Sequence, residues 1–125
     1  KQMALACHNY AGTFNDDLPP VNVEIIPGSG QRGSIMVALM PYLEQEALVN
    51  AYKAVGSVSA PTNAVVVKTF RCPSDPTAGN GVGPSGWAGT NYAANALVFA
   101  RGNWTLSTYN KSARKIHGIT DGTSN

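Results

Sequence analysis

The sequence predicts an α+β domain: the end of a helix packed on an antiparallel sheet, with a second helix inserted. Three observations predict it. Met3, Ala6, Cys7 and Tyr10 recur at i, i+3, i+4, i+7, which places them on one apolar stripe of a helix. Two β-favouring stretches, residues 21–26 and 64–71, are each closed by Pro and Gly breakers. Between them, residues 34–54 carry Ile35, Leu39, Leu43, Ala47 and Ala51 on an i+4 row.

In chain order, the first helix is expected to end near Gly12, and Leu18-Pro19-Pro20 cannot extend it. Residues 21–26 alternate in part and then meet Pro27-Gly28-Ser29-Gly30, so a short strand precedes a turn. In the second helical stretch Pro41 forces a restart, leaving Leu43-Glu44-Gln45 on the following turn. Val65, Val66, Val67 and Phe70 predict a buried strand that stops at Cys72-Pro73-Ser74-Asp75-Pro76. Residues 77–89 form a loop of Gly, Pro and Ser, long enough to carry function. Residues 92–99 and 104–109 are expected to pair as strands around Arg101-Gly102-Asn103. Asp121-Gly122 marks a tight turn leading into a further strand, with Gly122 at positive φ.

Composition bounds the function. The 125 residues make one ordinary domain. Only 13% are charged, against roughly 25% in an average soluble domain, which suits a surface that meets other protein. The net charge of +2 is spread over 9 basic and 7 acidic residues without a basic run, so a nucleic-acid partner is excluded. No apolar run approaches the ~20 residues of a membrane-spanning helix, and no signal peptide is present. The chain opens inside a helical pattern at Lys1-Gln2-Met3 and stops at Ser124-Asn125 after a turn. Residues 1–125 are therefore expected to be one truncated unit of a longer chain.

The side chains capable of chemistry do not assemble into a catalytic or metal pattern. His8 and His117 lie far apart without a nucleophile motif, and Cys7-His8 are too close on one helix to work as a pair. Two Cys and two His lack the short paired spacings of zinc sites. Asp16, Asp17, Asp75 and Asn80 could offer oxygens to a structural calcium, but turn formation accounts for them better without a D-x-D-x-D-G loop. Glu44 and Glu46, two apart on one helix, diverge by about 200° and cannot share a substrate. Trp87 and Trp104, with Tyr92 and Tyr109, could form a face for a glycan or protein, with core packing as the alternative. Asn103-Trp104-Thr105 and Asn110-Lys111-Ser112 match the glycosylation pattern, a three-residue match short enough to arise by accident. No enzyme, resident cofactor or metal is expected.

Six ordered segments resemble one bacterial family common in planctomycetes, the prepilin-like proteins with the domain of unknown function numbered 1559. Residues 1–10 resemble its "LKQ-G-AL-HNY" helix end, and residues 14–20 its "FPP" turn. Residues 39–45 resemble "LLPYLEQ", residues 70–76 "F-CPSDP", residues 91–99 "SYAANAQVF", and residues 119–125 "ITDGTSN". The resemblance implies a pilin-like architecture, with a type IV leader and a hydrophobic helix before Lys1 and another strand after Asn125. It also implies an extracytoplasmic structural or assembly subunit of a filament, pseudopilus or envelope structure. Such a subunit is held in the membrane, and self-associates, only through the missing helix; other envelope proteins are further partners.

An older name of the family implies solute binding, so a non-catalytic module for a solute or glycan is the rival reading, although no two-domain cleft fits this length. Cys72, set in a turn by Pro73, is expected in a disulfide in an oxidising envelope, with Cys7 its only partner within the chain. The family's usual cysteine lies upstream of Lys1, and Cys7 stands where an aliphatic residue is usual.

Overall fold

The computed structural model describes residues 1–56, 61–100 and 114–119. It shows four α-helices and a two-stranded antiparallel sheet, an α+β fold compatible with the pilin-like arrangement. Helix α1 spans Gln2–Thr13. Its inward stripe is as the spacing predicts: Ala6 and Ala11 are buried, while Met3, Cys7 and Tyr10 are half-buried. Gly12 does not stop it. The stop is made by Asn15 (φ 51°) and Asp16 (φ 66°), two residue types that tolerate the left-handed region, and the Asp16 amide donates back to the Ala11 carbonyl at 2.8 Å. Leu18, Pro19 and Pro20 then run through the interior. Buried prolines present one polar backbone group fewer to satisfy.

Strands β1 (Asn22–Glu24) and β2 (Arg32–Ser34) pair with Asn22 opposite Ser34, Val23 opposite Gly33 and Glu24 opposite Arg32. The connection between them is fastened by the Glu24 carboxylate accepting from the Gly28 amide at 2.9 Å. Gly28 and Gly30 sit there at φ 79° and 73°. Ile25, at the strand end, is buried in the core.

Helix α2 (Ile35–Leu39) follows β2 directly, and a 3-10 turn over Met40–Leu43 holds Pro41 in its first turn, where a missing N–H costs nothing. Helix α3 (Glu46–Val55) restarts after Glu44, which is left-handed at φ 60°. This joint corrects the continuous i+4 row. The 3-10 turn and Glu44 shift the helical phase, so Leu48, Val49 and Tyr52 face inward while Ala47 is exposed. It also separates Glu44 from Glu46, which opens α3 rather than sharing a helix with it. Glu46 in the first turn and Lys53 in the last suit the helix dipole, and Gly56 (φ 76°) ends the helix.

α1 packs mainly on α2 and the Met40–Leu43 turn, and α2 in turn covers the two strands. The core is the cluster of Ala6, Ile35, Leu39, Val49, Tyr52 and Phe70 with their buried neighbours. Tyr10 stacks on Phe14 at 4.3 Å between ring centroids and meets Tyr42 edge-on at 5.8 Å, while Thr13 and Tyr42 share a hydroxyl hydrogen bond of 2.7 Å.

Residues 64–71 are not a strand. They form 3-10 turns over Thr62–Ala64 and Lys68–Phe70, joined by extended backbone that buries Val67 and leaves Val65 exposed. Nor is 92–99 a strand: Asn95 accepts from the Leu97 amide at 3.0 Å and caps a short helix α4 (Ala96–Phe99). The expected partner strand 104–109 lies outside the described residues. Residues 114–119 return beside the end of α1, through the Ile116 amide donating to the Asp16 carbonyl at 2.9 Å and a bridge between Asp17 and Lys115. Among the described residues, no helix is long and apolar enough to cross a membrane.

Candidate functional site

Three segments distant in sequence line a half-open cavity of about 260 Å³: β2 with α2, the residues either side of Val65, and the turn at 87–90. Its floor is apolar, with Met36, Met40, Val67 and Phe70, and Trp87 walls its mouth. Trp87 is 51% exposed, yet its backbone is fixed. The Gly83 amide donates to the Trp87 carbonyl at 2.8 Å, the Ala88 amide to the Asn63 carbonyl at 2.7 Å, and the Gly89 amide to the Gly81 carbonyl at 2.9 Å. Val82 and Ala88 form an antiparallel bridge across the same turn. The loop of 77–89 is therefore an ordered platform for an indole.

Behind that platform, residues 70–72 and 90–92 are stitched together. The Thr90 hydroxyl donates to the Phe70 carbonyl at 2.7 Å, and the Asn91 Oδ1 accepts from the Cys72 amide at 2.7 Å. The Arg71 guanidinium donates to the Gly79 and Asn80 carbonyls. Gly81, at φ +87°, passes so close to Val66 and Arg71 that a Cβ would lie 2.8 Å from Val66 Cγ1. The "F-CPSDP" and "N-Y-A-A-N" segments thus hold one another, a joint that no local sequence pattern announces.

Of the candidate functional side chains singled out in the sequence, Trp87 is the one among the described residues that lines this cavity. Trp104, Asp121 and Gly122 lie outside the described residues. Cys7 and Cys72 are both half-buried and stand as free thiols in the structure. Burial pushes the Cys7 thiol above its ordinary value and keeps it a weak nucleophile. The Cys72 thiol touches Tyr92, whose phenol is pushed up first by that hydrogen bond and then by desolvation. Ellman titration of the unfolded, unreduced chain is expected to find two thiols, and a value near zero would restore the bridge.

The oxygen-bearing residues are used in turns. Asp75 accepts from the Thr77 hydroxyl at 2.6 Å and from its amide at 2.9 Å. The Thr77 hydroxyl first, then the Thr77 amide, holds the Asp75 carboxyl below its ordinary range. Asn91 is a minor further cause of that shift, although its Nδ2 stops short of a hydrogen bond. Asn80 accepts from the Val82 amide at 3.0 Å. Asp16 meets His117 at 3.2 Å on the surface, a pairing the sequence reading missed because 101 residues separate the two. His8 is exposed on α1. No group of three or more His, Cys, Asp or Glu converges among the described residues.

The model of the family described as a protein of unknown function, DUF1559, matches residues 1–125. The chain belongs to that family. No curated protein and no solved structure matches it. Within this DUF1559 chain, the cavity beside Trp87 and the helix face at Leu5 expose large apolar side chains, as do Val55 and Leu97.

Proposed function

We propose that this chain is the outward-facing, non-catalytic domain of a pilin-like assembly subunit, placed outside the cytoplasm and joined to its partners through an apolar helix preceding Lys1. The observation that supports it best is the asymmetry of α1. Its C-terminal half is locked to the domain by buried Ala11 and by Tyr10 and Thr13, which both meet Tyr42, whereas Leu5 stands 61% exposed on the opposite face. A helix seated by one face in its own domain, with one large apolar side chain exposed among Gln2, His8 and Asn9 on the other, leaves that face open to a second packing partner. At ~25 cal/mol per Å² of apolar surface, an apolar helix supplies far more association free energy than a sparsely charged globular face.

Residues 1–125 alone are therefore expected to sediment as a species near 13.1 kDa at micromolar concentration. The parent chain extended upstream of Lys1 should pellet or need detergent. Stable filaments formed by residues 1–125 themselves would move the assembly contacts onto the outer domain and overturn the helix-led reading.

A second reading, an extracytoplasmic module that binds a solute or glycan, has one observation in its favour: the preformed cavity beside Trp87. Assembly subunits can carry such a site, so the two readings are compatible.

A further inference from the structure

The size and lining of the Trp87 cavity are specific enough to name a ligand class. We infer that it binds a small uncharged aromatic molecule of one or two fused rings with at most one polar substituent. This rests on the solute-binding reading and narrows it.

Size comes first. A dry apolar cavity of about 150 Å³ takes up benzene, so about 260 Å³ leaves room for a second fused ring and little more. The space is below the ~300–1,000 Å³ usual for larger ligands, which argues against an oligosaccharide or a peptide.

The lining decides between apolar and polar ligands of that size. Met36, Met40, Val67 and Phe70 present carbon and thioether sulfur, and thioethers make favourable contacts with ring edges. Two of the polar groups nearby are already engaged. The Asn63 carbonyl accepts from the Ala88 amide, and the Thr90 hydroxyl donates to the Phe70 carbonyl while accepting from the Tyr92 amide at 3.0 Å. A sugar would have to desolvate several hydroxyls against this floor without replacement partners, which is costly. Ser34 keeps a hydroxyl that does not cap α2, enough for one phenol O–H or indole N–H. Arg32 is the one charged side chain among the described lining residues, and it sits on the strand beside the mouth.

Trp87 supplies the specificity for a ring. Its backbone is held by hydrogen bonds at Trp87, Ala88 and Gly89, so a bound ring would stack on an indole whose main chain needs no further ordering. An exposed tryptophan alone on a surface would carry no such meaning. This one closes a concave apolar wall.

Indole is a suitable probe, read by NMR of the chain with labelled methionine methyls. The three methionines divide usefully: Met36 and Met40 line the cavity, whereas Met3 lies elsewhere, beside Lys68 and Tyr92. Indole should shift the Met36 and Met40 methyls saturably with a Kd below about 1 mM and leave Met3 unmoved. Val65→Phe, at a half-exposed lining position, should fill the space and weaken binding about tenfold or more without lowering the thermal midpoint. Should that variant not fold, Trp87→Ala, which removes an exposed ring, is expected to weaken binding about threefold to tenfold.

An absence of Met36 and Met40 shifts, equal shifts at Met3, or unchanged affinity in the folded variants would overturn the site. Tighter binding of indole-3-carboxylate than of indole would replace the uncharged ligand by an anionic one. Saturable shifts from glucose with none from indole would sink the aromatic ligand and keep the solute-binding reading. Silence from all three probes would sink both.

Discussion

Replacing Leu39 by alanine is expected to lower the stability of this chain by about 2–5 kcal/mol. Leu39 is 1% exposed and sits where α2 meets the Met40–Leu43 turn, with α1 packed over both. Truncation there removes transfer free energy and leaves a void that three converging elements cannot close together. A domain of this size has about 5–15 kcal/mol of stability, so the variant approaches the edge of folding at physiological temperature. At roughly 4 °C per kcal/mol, the thermal midpoint should drop by about 8–20 °C. Leu97→Ala is the matched control, since Leu97 on α4 is 82% exposed and its loss should stay within about 0.5 kcal/mol. Equal midpoints for the two variants, measured by calorimetry, would show that the core is not centred on α2.

The parts of the fold legible in the sequence are those fixed by local physics. The spacing of Met3, Ala6, Cys7 and Tyr10 states which side of α1 goes inward, because a helix repeats its face every 3.6 residues whatever it packs against. The break at Leu18-Pro19-Pro20 and the disturbance at Pro41 follow likewise from proline's missing N–H. What the sequence hid is what depends on partners. Valines at 65–67 favour a strand only if a neighbouring strand takes up their backbone groups; here the Val65 amide bonds to the Thr62 carbonyl and the Phe70 amide to the Val67 carbonyl, so turns satisfy the chain instead.

The α4 error was avoidable. Asn95 before Ala96-Leu97-Val98-Phe99 is an N-cap pattern, and the structure uses it as one. The cavity was not legible by any local rule, since its walls come from three segments distant in sequence, two of them joined by the Thr90–Phe70 and Asn91–Cys72 hydrogen bonds across about twenty residues. Trp87 could be singled out as an aromatic in a Gly-rich loop, but nothing in the sequence said that the loop is pinned.

The face of α1 can be tested by placing a charge on each side of it. Ala6 is fully buried in the core cluster, while Leu5, one residue earlier, is 61% exposed. Ala6→Asp should therefore cost about 3 kcal/mol or more at neutral pH, because an unpaired carboxylate loses its hydration with no partner to replace it. Leu5→Asp should stay within about 0.5 kcal/mol. The sign of the pH dependence separates charge burial from simple crowding. Desolvation raises a buried carboxyl above its unfolded value of about 3.9, by as much as 3–5 units when burial is complete. The folded variant then holds a proton that the unfolded chain releases, so the ionisation part of the penalty is largest above the folded pKa. It shrinks as the pH falls from there to about 4. Crowding of the larger side chain has no such dependence and would persist at pH 4. Denaturant midpoints of Ala6→Asp relative to the unsubstituted chain should converge between pH 8 and pH 4 without meeting. A pH-independent difference would mean that the residue 6 side chain reaches water, and a cost for Leu5→Asp equal to that of Ala6→Asp would mean that both faces of α1 are covered, which the exposure of Leu5 forbids and on which the assembly reading depends.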